Sequence, residues 1–186
     1  MPLPVEDDLA RLLRALDGLN IRNFALTGGV AFGVWVEPRE TRDLDVCGVL
    51  PPESVIPLLA QYDGVRAGTG ELPDMVRFRV GDWDVDLFVA KSELDNECLA
   101  RAVEVAIGRV TVKVVTAEDF VLHKLKKLRS DRRRVLQDVA DLRSLFQKKS
   151  DIDWKYVEAR VVGADRELLN AIRNLSDEDL IGRLER

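Results

Sequence analysis

The sequence predicts an α+β chain: a mixed β-sheet flanked by helices, followed by a C-terminal helical region. Three observations carry that prediction. A strand, glycine turn and helix unit spans residues 24–36, hairpin patterns span 75–89 and 103–115, and a helical pattern takes over at Thr116 and runs almost to Arg186. The change of pattern divides an α/β core, residues 1–115, from a helical region, residues 116–186, expected to pack on it as one compact unit.

The elements follow in order. After Pro4, the residues Val5, Leu9, Leu12, Leu13, Leu16 and Leu19 recur at helical spacing, and Glu6, Asp7 and Asp8 set negative charge at the positive end of that helix, which ends at Gly18. Residues 24–26 read as a short buried strand, Thr27-Gly28-Gly29 as a tight turn, and 30–36 as an apolar helix halted by Pro38. The next strand covers 44–50, Pro51-Pro52 breaks it, and 53–62 form a helix with Pro52 near its first position. A glycine-spaced loop occupies 64–70. Alternation on either side of Gly81-Asp82 gives the first hairpin, and the second turns at Gly108-Arg109. Thr116 is an N-cap for the helical region, where Val135, Val139, Leu142 and Phe146 mark one apolar face and Trp154, Val157 and Val161 begin another.

Composition narrows the function. With 186 residues, 46% of them apolar, the chain can bury one sizeable core. Its 28 Lys plus Arg against 33 Asp plus Glu leave a net charge of −5, which excludes a protein that coats nucleic acid over its whole surface. No apolar run reaches the roughly 20 residues of a membrane span, and the N-terminus lacks a basic and an apolar leader segment. A soluble, cytoplasmic protein is expected. Two cysteines and one histidine exclude a disulfide scaffold and the common Cys/His zinc sites, so any metal must be held by carboxylates.

Asp43 and Asp45 stand two apart at the entry to an apolar strand, so both carboxylates share a face and can share a cation. Asp84 and Asp86 repeat the pattern on the second strand of the first hairpin, with Trp83, Val85 and Leu87 on the opposite face. Either pair alone is commonly a solvated strand end. Their order is more specific: a glycine turn opening a helix, a strand with paired aspartates, then a strand with a further carboxylate assemble a site for a triphosphate and its metal ions.

These residues resemble a known family. Leu26-Thr27-Gly28-Gly29-Val30-Ala31, followed by Arg39-Glu40-Thr41-Arg42-Asp43-Leu44-Asp45-Val46, is similar to the Gly-Gly turn and Arg-x-Thr-x-Asp-x-Asp segment of small bacterial nucleotidyltransferases of the DNA polymerase β-like superfamily. The closest likeness is to the abortive-infection, toxin-like type. Val85-Asp86-Leu87-Phe88 matches the strand bearing that family's third carboxylate, and Lys124 and Asp138 match a lysine and an Arg-x-x-x-Asp of its helical segment. The resemblance implies a nucleotidyltransferase fold that moves NMP from an NTP to an acceptor hydroxyl. In it Asp43, Asp45 and Asp86 hold two Mg2+ ions and carry catalysis, while Thr27, Gly28, Gly29, Arg39, Thr41, Lys124 and Asp138 serve the nucleotide. It also implies an RNA (for example tRNA) or protein acceptor and an antitoxin partner. Val30 departs from the pattern, standing where polymerase-β-like members carry a phosphate-binding serine.

Seven cations between Lys124 and Arg134 offer a local patch for triphosphate or RNA, without aromatic residues for base stacking. His123 reads as a structural residue or a substrate contact and not a general base, Cys47 as core, Cys98 as a cysteine without a basic neighbour to activate it, and Trp35 and Trp83 as core unless one lies near the site to stack on a base. The rival functions are a non-catalytic nucleotide- or RNA-binding module on the same fold, and a metal-dependent phosphohydrolase using the same carboxylates.

Overall fold

The structure, a computed structural model, describes residues 6–38, 40–41, 43–62, 65–67, 73–130, 135–174 and 176. The chain divides into two compact units, Met1–Thr116 and Ala117–Arg186.

The first unit contains α1 (Glu6–Gly18), β1 (Phe24–Leu26), α2 (Gly28–Trp35), β2 (Asp43–Gly48), α3 (Val55–Gln61), β3 (Arg66–Ala67), β4 (Met75–Val80), β5 (Trp83–Val89), α4 (Glu93–Arg101), β6 (Val103–Ile107) and β7 (Val110–Val114). Helix α1 buries Leu9, Leu12 and Leu16 and packs against β4 and β7. It closes in a Schellman turn: Asn20 takes the left-handed conformation at φ 55°, Asn20 N–H donates to Asp17 O and Ile21 N–H to Leu16 O, both at 2.8 Å.

The strands form one mixed sheet in the order β3-β4-β5-β2-β1-β7-β6. β2 runs parallel to β5 and antiparallel to β1, which in turn runs parallel to β7. Period-two alternation gives the central strands two unlike faces. Leu44 and Val46, Val85 and Leu87, and Val76 and Phe78 share one face, each no more than 3% exposed. Asp43, Asp45, Asp84, Asp86, Arg77 and Arg79 occupy the other.

Several boundaries differ from those the sequence predicts. Gly28 and Gly29 are the first turn of α2 and not a separate turn before it, with Thr27 as an extended N-cap at φ −134°. The segment after Pro51 opens as a 3-10 turn, Pro52–Ser54, before α3 begins. Arg66 and Ala67, placed in a loop by their neighbouring glycines, pair with Arg77 and Val76. Helix α4 has no counterpart among the sequence-derived elements. A capping box starts it, in which Ser92 Oγ accepts from Asp95 N–H at 3.1 Å and Asp95 Oδ2 accepts from Ser92 N–H at 3.0 Å.

The second unit is helical: α5 (Ala117–Ser130), α6 (Val135–Lys148), α7 (Trp154–Arg160) and α8 (Ala164–Asn174). α5 packs against the other three, and α6 also meets α8. Asp153 caps α7 by accepting from Tyr156 N–H at 3.0 Å. Among the described residues no helix is long and apolar enough to cross a membrane.

Candidate active site

The register between β2 and β5 assembles the carboxylates. Parallel pairing sets Asp43 beside Asp84 and Asp45 beside Asp86, with all four on the polar face. The antiparallel register of β4 with β5 then sets Arg79 beside Asp84 and Arg77 beside Asp86. The result is two rows across three neighbouring strands, each reading carboxylate, carboxylate, guanidinium: Asp43, Asp84, Arg79 and Asp45, Asp86, Arg77.

The rows differ in exposure. Asp84 is 41% and Arg79 60% exposed, and their 3.0 Å pair lies in solvent, where such contacts contribute little. Asp86 is 8% exposed, and Arg77 grips both its oxygens, Nε donating to Oδ1 and Nη2 to Oδ2, each at 2.5 Å. Those hydrogen bonds hold the Arg77 guanidinium above its ordinary pKa, against the opposing effect of burial. Of the two β5 aspartates, Asp86 is the one that joins Asp43 and Asp45: an oxygen from each lies within 4.8 Å of the others.

Thr41 fixes the first of the three. Its buried hydroxyl donates to Asp43, with the backbone O at 3.1 Å and Oδ1 at 3.3 Å. Thr41, expected from the sequence to serve the nucleotide, contacts the Asp43 carboxylate and backbone in the structure. Thr27 N–H donates to Asp45 O at 2.9 Å, which ties the N-cap of α2 to the strand carrying the aspartates.

The two glycines let helix and carboxylates meet. Gly28 lies at φ +53°, and a Cβ there would overlap the Asp45 carboxylate. A Cβ on Gly29 would come within 2.6 Å of Thr41 Oγ1 and 2.8 Å of Thr41 Cβ. The N-terminal turn of α2 therefore rests on Asp45 and Thr41 with no side chain between. Val30, which departs from the sequence pattern the chain resembles, is 6% exposed. Arg39 lies outside the described residues.

In the second unit, Lys124 and Asp138 meet each other. Lys124 Nζ is buried and donates to Asp138 Oδ1 at 2.5 Å and to Asp141 Oδ2 at 2.6 Å, while Gln137 Nε2 donates to Asp141 Oδ1 at 2.9 Å. This is a buried clamp between α5 and α6, formed by the two residues expected to serve the nucleotide. Of the basic run, Lys126 is exposed and Lys127 half-buried, while Arg132, Arg133 and Arg134 lie outside the described residues. Trp83 is buried, and Trp35, half-buried, donates its indole N–H to Val115 O at 2.8 Å.

Arg77 and Asp141 are the residues that sequence reasoning missed. Both had a signal. A two-residue turn at Gly81-Asp82 fixes the hairpin register and with it the Arg77 and Asp86 pair. Asp141 follows Asp138 by one helical turn and so shares its face.

Solved structures with this fold include the lincosamide antibiotic adenylyltransferase LnuA, lincomycin-bound, at 15% identity and TM-score 0.52, covering 79% of this chain and 100% of that one. ANT(2'')-Ia in complex with adenylyl-2''-tobramycin matches at 17% identity and TM-score 0.53, covering 86% of this chain and 95% of that one. The Megavirus polyadenylate synthase matches at 10% identity and TM-score 0.51, covering 90% of this chain and 37% of that one. These similarities establish a nucleotidyltransferase-like fold. No curated protein matches the chain. A family model does, over residues 85–177, half of the sequence and a span that opens one residue before Asp86. The chain belongs to that family, described as nucleotidyl transferase of unknown function (DUF2204).

Proposed function

We propose that the protein transfers a nucleoside monophosphate from an NTP to an acceptor hydroxyl, with Asp43, Asp45 and Asp86 holding Mg2+. The observation that carries this reading is the approach of three carboxylate oxygens to within 4.8 Å beneath a helix opened by two glycines. Hard oxygen donors at that spacing fit a hard divalent cation, and three like charges so close favour a site that receives one.

When bound there, Mg2+ supplies neutralisation of charge on the phosphates and polarisation at the α-phosphorus. The chain's own groups supply the rest. The N–H groups of Gly29 and Val30 precede the first intrahelical bond of α2, from Ala31 N–H to Thr27 O at 3.3 Å, the place from which helix N-terminal amides hold phosphate oxygens. In the reaction the acceptor oxygen bonds to the α-phosphorus, the bond from that phosphorus to the bridging oxygen breaks, and pyrophosphate leaves with the electron pair. The acceptor's proton passes to a carboxylate oxygen of Asp86, each of which keeps a second lone pair beyond the one facing Arg77. Thr41 keeps Asp43 aimed, and Arg77 keeps Asp86 aimed. Lys124 and Asp138 act in this reading by stiffening the helical unit.

One feature favours a second reading, a non-catalytic nucleotide-binding module: Val30 is buried and brings no hydroxyl to the phosphates. One experiment separates them. The protein is incubated with Mg2+ and each α-32P-labelled NTP in a cell extract, beside an Asp43→Ala/Asp45→Ala control, and labelled macromolecules and small products are resolved. Aspartate-dependent label on RNA, protein or a small molecule establishes transfer and names the acceptor class; NTP binding without label supports the module; labelled NMP or NDP without a modified acceptor supports the phosphohydrolase. The toxin role is supported by the motif resemblance, and predicts growth arrest on expression that Asp45→Ala relieves.

A further inference from the structure

Arg77 stands in an unusual place for a cation. It lies on the same strand face as Arg79, two residues away, but its charge sits against the buried carboxylate that completes the proposed metal triad, whereas that of Arg79 faces an exposed one. A fork that fills one lone pair on each Asp86 oxygen fixes the carboxylate plane, which helps a cation find its ligand. The same fork brings a full positive charge into the ligand's first contact sphere, which repels a cation. The sign of the net effect follows from the charge count. Arg77 adds one positive charge beside three carboxylates, so the negative charge available to divalent ions falls before any nucleotide arrives. A triphosphate restores it.

We propose that Arg77 is a positioning residue that makes cation loading at Asp86 depend on nucleotide: without triphosphate it holds the site at low affinity, and with triphosphate it keeps Asp86 in register. The proposal rests on the metal-site reading above. It assigns Arg77 a role that Arg79 lacks, although both are paired arginines of one strand.

The test is Mn2+ binding, read by electron paramagnetic resonance of the free ion, with no nucleotide present. Arg77→Gln keeps donors for Asp86 and removes the charge. It is expected to bind Mn2+ at least about tenfold more tightly than the unmodified protein, while Arg77→Lys stays within about threefold. Arg79→Gln removes the same charge from the exposed row and is expected to change affinity by less than about twofold. Adding a non-hydrolysable α,β-methylene triphosphate should tighten Mn2+ binding in the unmodified protein and shrink its gap to Arg77→Gln. In an Asp86→Asn background the gain from Arg77→Gln should vanish. If Arg77→Gln fails to fold, Arg77→Met, which keeps the apolar stem on the sheet, takes its place. Unchanged or weaker Mn2+ binding by Arg77→Gln, with Asp86→Asn still weakening it, overturns the proposal and leaves Arg77 a structural counter-ion. Mn2+ binding that neither Asp86→Asn nor Asp43→Ala/Asp45→Ala reduces overturns the metal site itself.

Discussion

Gly28 and Asp45 touch so closely that the glycine's missing side chain is part of the site: at φ +53°, any Cβ on Gly28 would fall inside the Asp45 carboxylate. Two penalties therefore coincide in Gly28→Ala. An alanine in the left-handed region costs about 1 kcal/mol, and relief of the overlap must displace either Asp45 or the start of α2. The expected loss is about 2–3 kcal/mol in urea denaturation, together with loss of NMP transfer. Gly18→Ala is the internal comparison. Nothing lies within 4 Å of its Cβ, its φ is not left-handed, and it ends α1, so stability should hold or rise by about 0.5 kcal/mol.

Removal of a triad carboxylate separates chemistry from folding. Asp45→Ala takes one charge from a repelling cluster, so in EDTA the variant should melt at the same temperature as the unmodified protein or slightly above it. The contrast comes on adding Mg2+ with a non-hydrolysable triphosphate. At a hundredfold excess over Kd the unmodified protein gains about 2.7 kcal/mol, and Asp45→Ala should gain almost nothing. Stripping the metal with EDTA should stop label transfer by the unmodified protein, and Mg2+ should restore it. An Asp45→Ala protein that still transfers label would remove the metal site from the mechanism.

How much of this was legible in the sequence depends on how local each contact is. The alternation that puts Asp43 with Asp45, and Asp84 with Asp86, on one face is a property of single strands, and both were readable. So was the hairpin register that sets Arg77 against Asp86, since it follows from a two-residue turn. The parallel pairing of β2 with β5 joins segments about forty residues apart, with α3 and two strands between them, and no local pattern encodes it. Resemblance to a family supplied the choice of Asp86 over Asp84, and the geometry adds the physical difference: one carboxylate is buried beside Asp43 and Asp45, the other is 41% exposed beside Arg79. β3, two residues long, has no period to detect. The burial of Lys124 illustrates what local pattern does not encode. A lysine in a basic run reads as a surface charge, and only the packing of α5 on α6 turns it inward.

Thr41 provides a graded test of carboxylate orientation. Thr41→Val keeps the shape that Gly29 packs against and removes the hydroxyl that bonds Asp43. One net hydrogen bond is worth about 1 kcal/mol, so stability should fall by about that much. If Thr41 acts by aiming Asp43 as a metal ligand, kcat should fall about tenfold with KM for the NTP little changed. Thr41→Ser should recover most of kcat. A rise in KM with kcat unchanged would return Thr41 to the role of a nucleotide contact.

The Lys124 clamp makes a prediction about stability in place of nucleotide affinity. Asp138 and Asp141 are each 1% exposed and share one ammonium, so Lys124→Ala leaves two carboxylates buried with their main counter-charge gone. Truncating one member of a buried ion cluster typically costs about 3–5 kcal/mol, because the carboxylates left behind stay out of water without the ammonium they shared. Denaturation of Lys124→Ala should show a loss of that order. The variant Lys124→Met/Asp138→Leu/Asp141→Leu removes the charges together with their desolvation penalty and should recover most of it, even though Gln137 then loses its acceptor. The order of the two variants is the informative quantity: a contact serving only the nucleotide predicts that both fold as well as the unmodified protein and lose triphosphate affinity alike. A structural clamp predicts that the single substitution is the worse of the two.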